Sequence, residues 1–166
     1  MKSQVLKLLL LSILIFSAPA QADEPYISFK LECPVNTPGA INVIDELEEN
    51  VTLCPESVLS TEHIERAVVK DHHNPQNFPK WMQTKELLEN SIPTSEIGIV
   101  LNEKGKEILL KISSENIGKK MAIFIDNKFI MAPVLRDRIE EGFLAINGNI
   151  SPQYARSVAE KINRSN

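Results

Sequence analysis

Residues 121–132 read Met121-Ala122-Ile123-Phe124-Ile125-Asp126-Asn127-Lys128-Phe129-Ile130-Met131-Ala132. The opening run of five carries no polar position, so it reads as a short strand covered on both faces. It stops at Asp-Asn, two residues whose side chains bond nearby backbone and tolerate positive φ in a tight turn. Apolar residues resume at once. The stretch therefore predicts a hairpin, with a strand over 121–125, a two-residue turn and a returning strand over 128–132 ended by Pro133.

The hairpin organises the rest of the C-terminal half. Upstream, Ile97-Gly98-Ile99-Val100-Leu101 predicts a strand, and Asn102 can cap a helix from Glu103 to about Ser114. Ile108, Leu109 and Ile112 form the apolar stripe of that helix, and Gly118 ends it. Downstream, Arg136 to Gly142 is a charged connector and Phe143 to Ile146 another strand. A turn at Asn147-Gly148-Asn149 follows, and then a helix with Ser151 as cap and Pro152 at its first position. Its stripe is Ala155, Val158, Ala159 and Ile162. The order strand, helix, hairpin, strand, helix gives an α+β class: a mainly antiparallel sheet with helices packed on one side.

The N-terminal half is less regular. Tyr26 to Leu31 alternates as a strand does, and Ile41 to Val51 fits either a short helix or an edge strand. Leu53 to Leu59 is a brief apolar segment. Ser60-Thr61-Glu62-His63 resembles a cap leading into a helix through Ile64, Ala67 and Val68. Lys70 to Thr94 holds Pro75, Pro79, Pro93 and the single tryptophan, Trp81. It reads as a long loop pinned by Trp81 and Phe78, interrupted by a short helix at 84–88.

Residues 1–22 have the form of a cleavable secretory signal: Lys2 and Lys7, an apolar run from Leu8 to Phe16, Pro19, and the small-residue site Ala20-Gln21-Ala22. The run is about half the roughly 20 residues a membrane span needs, so no stable membrane insertion is expected after cleavage. The expected location is the periplasm. Cleavage removes two lysines and no acid, taking the net charge from −4 to −6. An acidic domain has no electrostatic reason to bind nucleic acid. Cys33 and Cys54 are the only cysteines. In an oxidising compartment an even count suggests a disulfide, with two free thiols as the alternative.

One series of residues resembles the head subdomain of the periplasmic domain of the SecD and SecDF protein-export family. The series is Glu115-Asn116-Ile117-Gly118-Lys119-Lys120-Met121-Ala122-Ile123, Ile125-Asp126, Ala132-Pro133-Val134, Ile146-Asn147-Gly148-Asn149 and Ala155. Leu59 to Ile64 and Ile99 to Gly105 fit more loosely. The resemblance spans 52–163 and is most specific over 97–162, while 70–95 departs from the pattern as an insertion and 26–51 has no counterpart. With the signal 1–22 read above, it leaves an N-terminal extension 23–51 and a head-like α+β domain 52–166 with the insertion at about 70–95. It implies binding of emerging polypeptide, with components of the Sec translocon as candidate partners. The family's membrane residues that carry protons have no counterpart here, so a proton-driven motor is not implied.

No motif announces chemistry. There is no Gly-x-Ser-x-Gly elbow and no phosphate-cradling glycine loop, and Asp126 reads as a turn residue. No catalytic residue, cofactor or metal is expected. The leading expectation is a non-enzymatic binding protein whose candidate contact residues are Ile130, Met131, Pro133 and Val134, along a sheet edge that receives an extended peptide. The second is the same scaffold reused as an inhibitor- or immunity-like module that touches its partner through Trp81 and Phe78. A distant third is a metal-dependent enzyme using His63, His72 and His73.

Overall fold

The structure is a computed structural model and describes residues 26–72, 79–80, 93–148 and 150–165. Nine strands and two helices are defined among them. β1 is Ile27–Leu31, β2 Ile41–Ile44, β3 Asn50–Leu53, β4 Leu59–Ser60, β5 Ile64–His72 and β6 Thr94–Leu101. Helix α1 is Glu103–Glu115, β7 is Met121–Ile125, β8 Lys128–Met131, β9 Phe143–Ile146, and α2 is Pro152–Ser165. All pairings are antiparallel. The fold is α+β, but the strands divide into three sheets: β4-β1-β7-β8, β5-β6-β9, and the hairpin β2-β3.

β7 explains why its sequence has no polar position. Met121, Ile123 and Ile125 face the main core, with Ile27 and Phe29 of β1, Ile97, Ile99 and Leu101 of β6, and Ala155, Val158 and Ile162 of α2. Ala122 and Phe124 face the other way, into a second cluster with Val51, Leu53 and Ala132 beneath the β2-β3 hairpin. The turn Asp126-Asn127 has φ of 52° and 58°, the double positive value that suits the right-handed twist of a hairpin. Phe124 and Phe129 meet edge to face across it, ring centres 5.8 Å apart.

Three expectations change. Ser60 does begin a helical turn, but only one 3-10 turn, Thr61–His63. His63 closes it by accepting the Ser60 amide at Nδ1, 3.1 Å. The chain then enters β5 instead of the expected helix. The spacing of Ile64, Ala67 and Val68 is helical, but pairing along β6 from Leu101 to Thr94 decides for strand, and a bulge between Ile64 and Arg66 lets both Ile64 and Ala67 be buried while Val68 is exposed. Ile41 to Val51 resolves in favour of strand, as β2 and the start of β3 joined by the Asp45–Glu49 turn. The expected loop 70–94 loses its ends to β5 and β6. The expected helix at 84–88 lies outside the described residues.

Candidate functional site

β8 ends the first sheet and β9 ends the second. These two edges do not pair, and a cavity lies beside each. The one beside β8, about 380 Å³, is lined by Phe129, Ile130, Asn147, Gly148, Ile150, Ser151 and Tyr154. The cleft beside β9, about 300 Å³, is lined by Met121, Ile123, the segment Pro133 to Asp137, Ile139, Leu144 and Ala145. Burial, and then the charge of Asp126, push the Tyr154 phenol above its ordinary value, so it stays neutral and can donate a hydrogen bond.

The backbone of β9 is available to this cleft. Leu101 N donates to Gly142 O at 2.9 Å, which sets the alternation of the β6–β9 ladder. Gly142, Leu144 and Ile146 turn their polar backbone groups to β6, so those of Phe143 and Ala145 point away from it. One position on the opposite edge of that sheet is capped. The carboxamide of Asn163 on α2 takes both outward groups of Ala67 on β5: Oδ1 accepts the amide at 2.7 Å and Nδ2 donates to the carbonyl at 3.0 Å. Beyond the end of β8, the Ala132 amide donates to Glu46 at 3.3 Å.

The hairpin that carries Glu46 is fastened by charge. Lys120 Nζ lies 2.5 Å from both Asp45 and Glu49, and the Asp45 side chain is 1% exposed. The same Asp45 accepts the Leu47 and Glu49 amides at 2.9 Å, shaping the turn. Lys120, first, and these amides hold the Asp45 carboxyl below the usual carboxylate range, while its two carboxylate partners raise the Lys120 ammonium.

The expected contact residues separate. Ile130 lines the first cavity and Pro133 and Val134 the second. Met131 stands opposite Ile123 and packs against the main core instead. Trp81 and Phe78 lie outside the described residues. Leu144, Ala145, Leu135, Ile139 and Tyr154 were not singled out from the sequence. Phe143 to Ile146 was legible as a strand, but its role depends on which side of it is free. Cys33 and Cys54 are of intermediate exposure and are not bonded to each other in the structure, and Cys33 is among the causes that raise the Cys54 thiol.

The histidines do not converge. His63 precedes β5 and His72 ends it, and nine strand residues span roughly 30 Å. His72 pairs with Glu96 at 3.5 Å, and Asp71 with Ser95 and Arg156. His73 is outside the described residues. Among the described residues, no group of three or more His, Cys, Asp or Glu is placed to hold a metal ion.

Two antiparallel sheets with cavities beside their edge strands and two helices make up the described α+β fold. The comparisons give it a family likeness. Residues 85–165 match the family described as SecDF, P1 head subdomain. The protein translocase subunit SecD of Calditerrivibrio nitroreducens is 35% identical over 63 residues, which is 38% of this chain and 12% of that protein. SecD of Leptotrichia buccalis is 38% identical over 63 residues, 38% of this chain and 16% of that protein. The likeness therefore spans under a fifth of these relatives' own length.

Solved SecDF structures share the fold. One, of a membrane component that enhances protein export, aligns with a TM-score of 0.56 at 17% identity, covering 82% of this chain and 61% of that one. A crystal structure of SecDF in a super-membrane-facing form aligns at 0.55, covering 82% of this chain and 18% of that one. The chain thus resembles the SecD and SecDF family through its head subdomain. Among the described residues, no helix is long and apolar enough to cross a membrane.

Proposed function

We propose that this protein is a non-enzymatic accessory of protein export that binds extended polypeptide in the periplasm. The polypeptide adds to the outer edge of β9, and its inward side chains enter the cleft beside β9. The single observation that carries this reading is the edge of β9, unpaired among the described residues and beside an apolar cavity, while Asn163 takes the outward groups of Ala67 on β5. Strand addition reads backbone and so accepts many sequences, as a protein that meets emerging chains requires. The likeness to SecD, a translocase subunit, supports the setting and makes Sec translocon components the candidate partners. Cleavage after Ala22 belongs to the same reading, and N-terminal sequencing of the exported protein tests it.

The binding test is fluorescence anisotropy of a labelled, permanently unfolded polypeptide titrated with the purified protein. Ala145→Pro removes an outward amide without touching the β6 ladder. Val134→Asp puts a charge on the rim of the cleft. Each variant, with its circular dichroism and melting temperature intact, is expected to weaken binding about tenfold or more, the equivalent of ~1.4 kcal/mol. Unchanged affinity in both sinks the proposal. Binding lost only in Trp81→Ala moves the contact to the 70–95 segment and favours a specific protein-binding module.

A further inference from the structure

A different part of the molecule carries a site that the binding reading does not use. Cys33 follows β1 and Cys54 follows β3. Between them Glu32 pairs with Leu53 in an isolated antiparallel bridge. Cys33 N donates to Thr52 O at 2.9 Å and Cys54 N to Leu31 O at 2.8 Å, so backbone bonds fix both cysteines on either side of the bridge. By the period of two, Leu31, Cys33, Thr52 and Cys54 present their side chains on one face. The two thiols are near enough that Cys33 helps to raise the Cys54 thiol above its ordinary value. Both are of intermediate exposure, so an oxidant can reach them.

We propose that Cys33 and Cys54 form an intramolecular disulfide that locks the β2-β3 hairpin onto the first sheet. The bond would close the loop 34–53, which contains the whole hairpin. That hairpin covers Ala122, Phe124 and Ala132 and supplies Glu46 to the Ala132 amide. It is otherwise held to the sheet by the Glu32–Leu53 bridge and by Lys120 with Asp45 and Glu49. The covalent tie and the salt-sensitive tie sit at opposite ends of the hairpin, so together they fix both its base and its tip.

The reaction is thiol–disulfide exchange with an external disulfide, supplied by a thiol-oxidising protein or oxidised glutathione. Cys33 attacks the oxidant, whose S–S bond breaks, giving a mixed disulfide and one released thiolate. Cys54 then attacks the Cys33 sulfur and expels the second. Two electrons pass to the oxidant, and the two thiol protons end on its two thiols. Burial, followed by the neighbouring Cys33, pushes the Cys54 thiol up to about 11, so little of it is thiolate at neutral pH and its attack is the slower of the two steps. Part of that rise disappears once Cys33 is held in the mixed disulfide.

The test uses the full protein isolated without reductant from an oxidising compartment, and the same protein made in reducing cytosol and then treated with oxidised glutathione. Each is denatured with a thiol-alkylating reagent and weighed. The expected result in both is no alkylation, a mass about 2 Da below the dithiol form, and a proteolytic peptide pair joined through Cys33 and Cys54. Reduction is expected to lower the melting temperature by roughly 5–10 °C, and the Cys33→Ser, Cys54→Ser double variant should melt with the reduced form. Two alkylated thiols in both preparations, or linkage only between chains, overturns the proposal. A disulfide whose reduction leaves the melting temperature unchanged overturns the locking role. None of these outcomes depends on polypeptide binding.

Discussion

Asn163→Ala tests the proposal that β9, and not β5, receives another chain. In the second sheet β5 is as terminal as β9, so its outward backbone groups would be an equal invitation. The Asn163 carboxamide answers both groups of Ala67, donor for acceptor and acceptor for donor. Two such bonds are worth roughly 1–3 kcal/mol in net terms. Asn163 is exposed, so water recovers much of this in the variant and the expected loss is about 1 kcal/mol. For a domain of this size that lowers the melting temperature by roughly 2–4 °C. The second consequence is more telling. With the carboxamide gone, β5 should pair with other chains, seen as concentration-dependent association in analytical ultracentrifugation and as a second class of sites for unfolded polypeptide. Asn163→Asp should fare no better, because a carboxylate can accept the Ala67 amide but repels its carbonyl. A variant with unchanged stability, no association and unchanged stoichiometry would refute the reasoning, and with it the choice of β9 over β5.

Two further substitutions probe how the frame is held. A Cβ on Gly105 would stand 2.4 Å from the His63 carbonyl oxygen, where backbone cannot yield, so Gly105→Ala should cost roughly 1–3 kcal/mol in urea unfolding. Little effect would mean that the start of α1 is not pressed against the 3-10 turn. Lys120→Met removes the cation that depresses the Asp45 carboxyl. A depressed carboxyl contributes stability that is present above its ordinary value of 3.8 and is lost as pH falls through its lowered folded value. The wild type should therefore unfold at lower pH than Lys120→Met in an acid titration followed by circular dichroism. Coincident acid transitions would remove Lys120 from the account.

What the sequence made legible was whatever local chemistry decides. The unbroken apolar run 121–125, the Asp126-Asn127 turn, the Asn102 cap and the Ser151-Pro152 helix start each carry their own signal, and each element stands where that signal put it. β5 was not legible, because a bulge after Ile64 gives the strand a helical-looking spacing and the deciding contacts lie some thirty residues away on β6. The cleft was half legible. Pro133 and Val134 belong to one bank, and Ile130 to the cavity beside β8. The other bank exists only because β9 leaves the β7-β8 hairpin to pair with β6, and strand order is not written in any local pattern. The same holds for Asn163, an unremarkable helix residue until β5 is seen beside it.

Residues 26–51, which have no evident counterpart in the sequence resemblance, pose the sharpest question about where the folding unit begins. β1 lies between β4 and β7 and pairs with β7 from Ile27–Ile125 to Leu31–Met121. Ile27 and Phe29 are both 0% exposed within the main core. Fully burying side chains of this size contributes roughly 1.5–3 kcal/mol each, a large share of a net stability that is only about 5–15 kcal/mol. Without β1, β7 also loses a hydrogen-bonded neighbour, and its apolar residues meet water on a newly open edge. A fragment 52–166, which retains every residue of the sequence likeness, is therefore expected to show no cooperative thermal transition, while 26–166 melts as one unit. The alignment with SecDF covers 82% of the chain, which 85–165 alone cannot supply, and this points the same way. A cooperative transition in 52–166 at a similar temperature would show that β1 is an appendage laid on a self-sufficient head. Its loss would instead make the N-terminal strand part of the framework that places β7, and through β7 the floor of the cleft.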